Sequence, residues 1–198
     1  MKVCWYCPQK IFESFKDPLD NPSFRLRCWT NHKLHLRYGH QAVIAKTPEE
    51  ALTSDVLVLM SFGEDEYFLA KKFKEQNKVV LHDYCENIRG IPVLEETKKL
   101  CNHIVCCSTE LGKEEAKTYK DKVKVIKDPV EEVPISHNIN YDTDSKLNVV
   151  WCGMGGNAFI LDSLKNIVLE HNMNFIEISN RPQSTFSWNR NNWYNHMS

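Results

Sequence analysis

An α/β fold, a parallel sheet with helices on both faces, is predicted by three features of this sequence. Short apolar runs of strand length alternate with amphipathic runs of helix length from residue 1 to residue 127, the pattern of repeated β-α-β units. The run DVLVLM at 55–60 is continuously apolar after its first residue, Asp55, as expected for a parallel strand covered on both faces. The stretch NVVWCGMGGN at 148–157 reads as a short buried strand entering a glycine-rich loop, with an amphipathic run at 158–171 behind it. A strand passing through such a loop into a helix is how a Rossmann-like unit begins. The chain therefore reads as one Rossmann-like domain followed by the beginning of a second.

Residues 2–6 form the first expected strand. Residues 7–23, with Pro8, Pro18 and Pro22, read as a long connection, of a length that is commonly functional. Ser23 is the expected N-cap of a helix over 24–38, and Gly39 suits a left-handed C-cap. The apolar periodicity of that helix is imperfect. Strands are expected at 42–45, 55–60, 78–82, 103–107 and 123–126. Helices are expected at 48–52, 65–76, from Pro92 to about residue 101, and at 109–119; Pro92 fits a first helical turn. The run at 128–146, with Pro129, Pro134 and the polar SHNINYDTDS, reads as a linker. The pattern then restarts with strand 148–152, helix 158–171 and strand 174–178. The domains expected are 1–130, a linker at 131–146, and a partial second domain at 147–198. Its tail holds Trp188 and Trp193 with little chain left to bury them, so the second domain is expected to be truncated.

Composition bounds the function. The 198 residues are 42% hydrophobic and 26% charged, the balance of a soluble globular protein. A chain of this size buries roughly 70% of its unfolded surface, so its core needs no disulfide staples. Lys and Arg number 25 against 26 Asp and Glu, giving a net charge of −1 and none of the basic surplus of a general nucleic-acid binder. No apolar run approaches the roughly 20 residues of a membrane span, which leaves only peripheral membrane contact open. The N-terminal MKVCWYCPQK carries neither a long apolar segment nor a cleavage pattern, so a cytoplasmic location is expected. Of the eight cysteines, Cys4, Cys106, Cys107 and Cys152 lie in or beside apolar strands, where reduced cysteine behaves as a small hydrophobe.

The order of these elements carries a resemblance. A strand and a proline-bearing loop lead to S-F-R-L-R, then Y-G-H-Q-A-V-I, D-V-L-V-L-M and K-V-V-L-H-D-Y-C-E-N. After these come I-V-C-C-S-T-E, V-K-V-I-K-D-P-V-E and finally N-V-V-W-C-G. Over about residues 1–180 the chain resembles the nucleotide-sugar glycosyltransferases of the GT-B fold, in particular the group 1 enzymes. The resemblance implies an N-terminal domain that binds a hydroxyl-bearing acceptor and a C-terminal domain that binds the nucleotide-sugar donor, with no metal or other cofactor. It places the donor phosphates on Gly153, Gly155, Gly156 and Asn157. It places the acceptor near Arg25, Arg27 and the cluster of Asp83, Glu86 and Asn87. The basic and acidic residues that such enzymes carry later in the donor domain have no counterpart in this chain.

The residues themselves bear on each assignment. Backbone N–H groups of a glycine-rich loop approach phosphates closely, and a helix N-terminus adds about 0.3–1 kcal/mol per exposed anionic group. That orients a ligand without supplying all of its affinity. The DYCEN cluster, 83–87, follows a parallel strand, where α/β sheets bind ligands. A carboxylate there, Asp83 or Glu86, is the candidate base for an acceptor hydroxyl; a solvated polar turn is the plainer reading. Arg25 and Arg27 can pair with anions, but residues two apart on a helix do not share a face, so at most one is expected at the site. Cys4 and Cys7 match C-x-x-C, yet the motif ends a strand and enters a loop, so structural cysteine is the expectation. His32 and His35 lie three apart on the first helix, but no second pair completes a metal site. The Lys/Glu-rich run 112–122 reads as a solvated helix face.

Overall fold

The computed structural model of the chain describes residues 1–13, 17–86, 88–127, 147–153, 161–179 and 189–191. Two units, Met1–Val133 and Pro134–Ser198, are each compact. The first is a six-stranded sheet in the order β2-β1-β3-β4-β5-β6, with every neighbouring pair parallel. Its strands are β1 (Lys2–Tyr6), β2 (Gln41–Ala45), β3 (Val56–Leu59), β4 (Val79–Tyr84), β5 (His103–Cys106) and β6 (Val123–Val125). Its helices are α1 (Gln9–Glu13), α2 (Thr30–Arg37), α3 (Pro48–Leu52), α4 (Glu64–Glu75), α5 (Pro92–Leu100) and α6 (Thr109–Tyr119). This is the Rossmann-like α/β arrangement expected from the alternation.

Side-chain alternation divides the core between the two faces of the sheet. Cys4, Tyr6, Leu57, Leu59 and Val80 pack with Ala51 of α3 and with Leu69, Ala70 and Phe73 of α4. Tyr84, Ile104 and Cys106 extend that face and pack with Leu94 of α5 and Leu111 of α6. Val3, Trp5, Val56 and Val58 point the other way and pack with Phe24 and Cys28. Topology explains the uneven division. Only the connection from β1 to β2 runs toward that edge; every later crossover runs back. Right-handed crossovers then put α3 to α6 on one face and the helical segment before β2 on the other.

Local chemistry sets the ends of the elements. Thr47 accepts the Glu50 N–H while Glu50 reaches back to the Thr47 N–H, a capping box that starts α3. Gly39, at φ +79°, follows α2 as expected, and the left-handed turn there is strained for any residue with a Cβ. The long connection after β1 has structure of its own, namely α1 and a 3-10 turn at Pro18–Asp20. Its helical continuation starts earlier than expected. Ser23 is already helical and makes no side-chain cap; the extended residue Asn21 accepts the Phe24 N–H at 3.2 Å instead. From Phe24 to Trp29 the backbone is a π-helix before it becomes α2. The wider turn shifts the apolar stripe by about one position, which is why the 3.6-residue periodicity read as imperfect.

The second unit is a three-stranded parallel sheet, β7-β8-β9, formed by β7 (Asn148–Gly153), β8 (Asn174–Ser179) and β9 (Asn189–Asn191). One helix, α7 (Leu161–Glu170), lies in sequence between β7 and β8. Leu161, Val168 and Phe175 form its small core with Val149, Trp151, Leu164 and Met173. The third strand lies in what the sequence marks only as tail; NRN has no apolar alternation to announce it. Among the described residues no strand of this sheet pairs with the first. The linker, Gly155, Gly156 and Asn157, and Trp188 and Trp193 lie outside the described residues. No described helix is long and apolar enough to cross a membrane.

Leu57 is fully buried on β3, between β1 and β4. Leu57→Ala is expected to cost about 2–5 kcal/mol in urea unfolding, through a lower midpoint at unchanged slope. A loss below about 1 kcal/mol would contradict this account of the core.

Candidate functional site

Ligands of open α/β sheets bind beyond the carboxyl ends of the strands, near the point where the connections diverge. Here that point lies between β1, whose chain leaves over one face, and β3, whose chain leaves over the other. Beyond β3, Ser61 donates its hydroxyl to the carboxylate of Glu66, which is buried in the first turn of α4. Gly63 makes room for that carboxylate: a Cβ there would stand 2.8 Å from Glu66 Oε2. Sequence reasoning missed this pair, although S-F-G-E-D-E after an apolar strand was its signal.

Asp83 and Arg27 meet. The sequence reading ended the strand at His82 and assigned Asp83 to a polar cluster beyond it. The strand runs through Tyr84, with Asp83 opposite Val105 of β5. Its carboxylate therefore faces the sheet's interior side and pairs with the Arg27 guanidinium, both groups being buried. The π-helix delivers Arg27 to that position. The Thr30 N–H and Thr30 Oγ1 both donate to the Arg25 carbonyl, the latter at 2.8 Å, and Asn31 Nδ2 donates to the Arg27 carbonyl at 2.8 Å. Arg25 turns the other way, with Nη1 on the Leu19 carbonyl at 2.6 Å. The expectation that the two arginines diverge matches this geometry. The base role and the acceptor role assigned separately to Asp83 and Arg27 fall on two halves of one ion pair. Glu86 is exposed just past Cys85, and Asn87 lies outside the described residues.

Beside this edge a cleft of about 300 Å³ is lined by Cys85, Cys107, Ser108, Glu110, Leu111 and Glu114. It opens where β4 and β5 end and α6 begins. Ser108 caps α6, accepting the Leu111 N–H at 3.2 Å. Lys117 and Arg89 hold the Glu114 carboxyl below the usual carboxylate range, chiefly through the Lys117 hydrogen bond. Both carboxylates at the mouth are paired with cations, Glu110 with Lys113 at 2.8 Å and Glu114 with Lys117 and Arg89. The motif C-C-S-T-E after a strand carried this cleft in the sequence.

The thiols and imidazoles divide sharply. Cys4 and Cys7 belong to packing clusters on opposite faces of the sheet, and burial pushes their thiols up to about 11 and about 12. Reactive C-x-x-C chemistry requires the opposite, a lowered thiol beside its partner. His32 and His35 lie against Trp5, with ring centroids 6.2 and 5.0 Å away. Among the described residues, no three His, Cys, Asp or Glu side chains converge as a metal site. Gly153, the first residue of the expected phosphate loop, closes β7 opposite Ser179.

His82 is one of the buried titratable groups of this unit that the sequence passed over, with Glu66 and Lys98. It sits on β4, 5.7 Å from the Tyr84 ring by centroids, and neither ring nitrogen meets a partner in hydrogen-bonding geometry. Burial first, then the nearby Lys98 charge, lowers its pKa to about 4, against a weaker opposing effect of the Ser61 backbone. Lys98 is buried too, 3.0 Å from Glu115 and 3.9 Å over the Tyr84 ring. Because the unfolded imidazole takes up its proton near pH 6.5, a neutral buried His82 contributes stability fully above that pH. The contribution, on the order of 3 kcal/mol, is lost as pH falls through about 4. Comparing wild type with His82→Leu by urea unfolding from pH 7 to pH 4, the stability difference is expected to shift in the variant's favour by that amount. Parallel pH profiles would contradict the assignment.

Compared with models of protein families and with curated proteins, the sequence matches none.

Proposed function

We propose that this chain takes part in sugar transfer, as a GT-B-like glycosyltransferase or a portion of one that uses a nucleotide-sugar donor and a hydroxyl acceptor. The observation that supports the reading is a tandem of parallel α/β units. A six-stranded sheet precedes a second β-α-β unit whose first strand enters the glycine-rich segment. In this reading Gly153, Gly155, Gly156 and Asn157 offer backbone amides to the donor diphosphate. The acceptor lies along the carboxyl edge of the first sheet, near Asn87 and the cleft; Arg25, engaged with the Leu19 carbonyl, is left out of that contact. Its oxygen attacks the anomeric carbon, the bond from that carbon to the phosphate oxygen breaks, and the nucleoside diphosphate leaves with the electron pair. Glu86, exposed beside the cleft, is the carboxylate that takes the acceptor proton. Asp83 and Arg27, engaged with each other, position the strand end instead of exchanging protons.

That same ion pair favours a second reading, a Rossmann-like binding module without transfer, because it occupies the carboxylate best placed on the strand. Product formation from donor plus acceptor separates the two readings; binding without turnover selects the module.

The experiment is calorimetric titration of the full chain with UDP-glucose and a panel of other nucleoside diphosphate sugars. Saturable binding is expected for at least one donor, weakened at least about tenfold by Gly155→Val, a change of about 1.4 kcal/mol. Equal affinity in the variant, or no binding across the panel, would contradict the donor assignment.

A further inference from the structure

We propose that Cys85 and Cys107 are a cross-strand dithiol that thiol–disulfide exchange converts into an intrachain disulfide at the mouth of the cleft. This inference is independent of the sugar-transfer reading. Tyr84 of β4 and Cys106 of β5 are the last register partners, and Cys85 and Cys107 are the first residues past the two strand ends. Neighbouring strands run about 4.7–4.9 Å apart, inside the Cα separation of about 4.4–6.8 Å that a disulfide spans. The Cys107 thiol lies 3.5 Å from the Cys85 carbonyl oxygen, so its sulfur already rests over the neighbouring strand. Both residues line the same cleft.

Accessibility sets this pair apart. All seven described cysteines are free, and Cys4, Cys7, Cys28, Cys101 and Cys106 are buried, whereas Cys85 and Cys107 are half-exposed. The two half-exposed cysteines among the described residues thus sit side by side where one pair of strands ends. The oxidant is a small linear disulfide. One protein thiolate attacks it, forms a mixed disulfide and expels the first small thiolate. The second protein thiolate then attacks the protein sulfur of that mixed disulfide and expels the other. Two protein thiols are oxidised, one small disulfide is reduced to two thiols, and the leaving thiolates take up the protein's two protons. Burial raises the Cys85 thiol, offset in part by the Arg27 charge, so the exchange runs faster as pH rises past the ordinary thiol range. The bond would tie β4 to β5 and narrow the cleft from one side.

Full-length protein is incubated with oxidised glutathione at pH 8.5, alkylated and mapped by peptide mass spectrometry. The expected product has lost two hydrogens per chain and yields a Cys85–Cys107 cross-linked peptide. Cys85→Ser and Cys107→Ser should each stop at a stable mixed glutathione adduct on the remaining thiol, and circular dichroism checks that both variants fold. Wild-type protein carrying only separate glutathione adducts, two freely alkylated thiols, or a cross-link to any other cysteine would overturn the proposal.

Discussion

A carboxylate on an inner face of a central strand is tolerable only with a cation beside it, and much of the first unit follows from that demand. Asp83 sits on β4, with two strands or more on each side, and is almost sealed from water. An isolated ionised carboxylate in such a place would cost far more than any single contact returns. Arg27 answers the charge from the helical segment across the sheet face. Reaching it takes a π-helical turn that rotates Arg27 inward, with Cys28 beside it in the core, while Arg25 is turned outward to the Leu19 carbonyl. The pair thus links the helical segment carrying Phe24 and Cys28 to the strand whose end borders the candidate site.

The strand and helix succession was legible because parallel strands and amphipathic helices leave different periods in a sequence. DVLVLM and Pro92 each sit where their chemistry requires. Gly39 likewise marks a helix end through its positive φ. The misses have physical causes as well. A π-turn has no residue signature and only blurs the helical stripe, so Arg27 could not be aimed from sequence. Asp83 read as loop because an ionised side chain argues for solvent unless its partner is known, and that partner is 56 positions away. The strand Asn189–Asn191 is polar throughout and depends on pairing with β8 for its shape.

The site was legible in its neighbourhood and not in its roles. Strand-end placement pointed to the carboxyl edge of the sheet, where Asp83, Glu86, the cleft and the Ser61–Glu66 pair lie. Roles depend on contacts: Asp83 is committed to Arg27, Glu86 faces solvent, and His82 is buried and held neutral. Cysteine count alone could not separate the five core thiols from the two at the cleft, since the difference is one of strand register and exposure.

The linkage of Arg27 to Asp83 is most directly measured by a double-mutant cycle read by urea unfolding at neutral pH. Arg27→Met and Asp83→Leu should each cost about 3–5 kcal/mol, because each removes the opposite charge from beside a buried ion. The double variant should recover to within about 1 kcal/mol of wild type. Additive losses in the double variant, or single variants within about 0.5 kcal/mol of wild type, would show that the pair does not hold the two elements together.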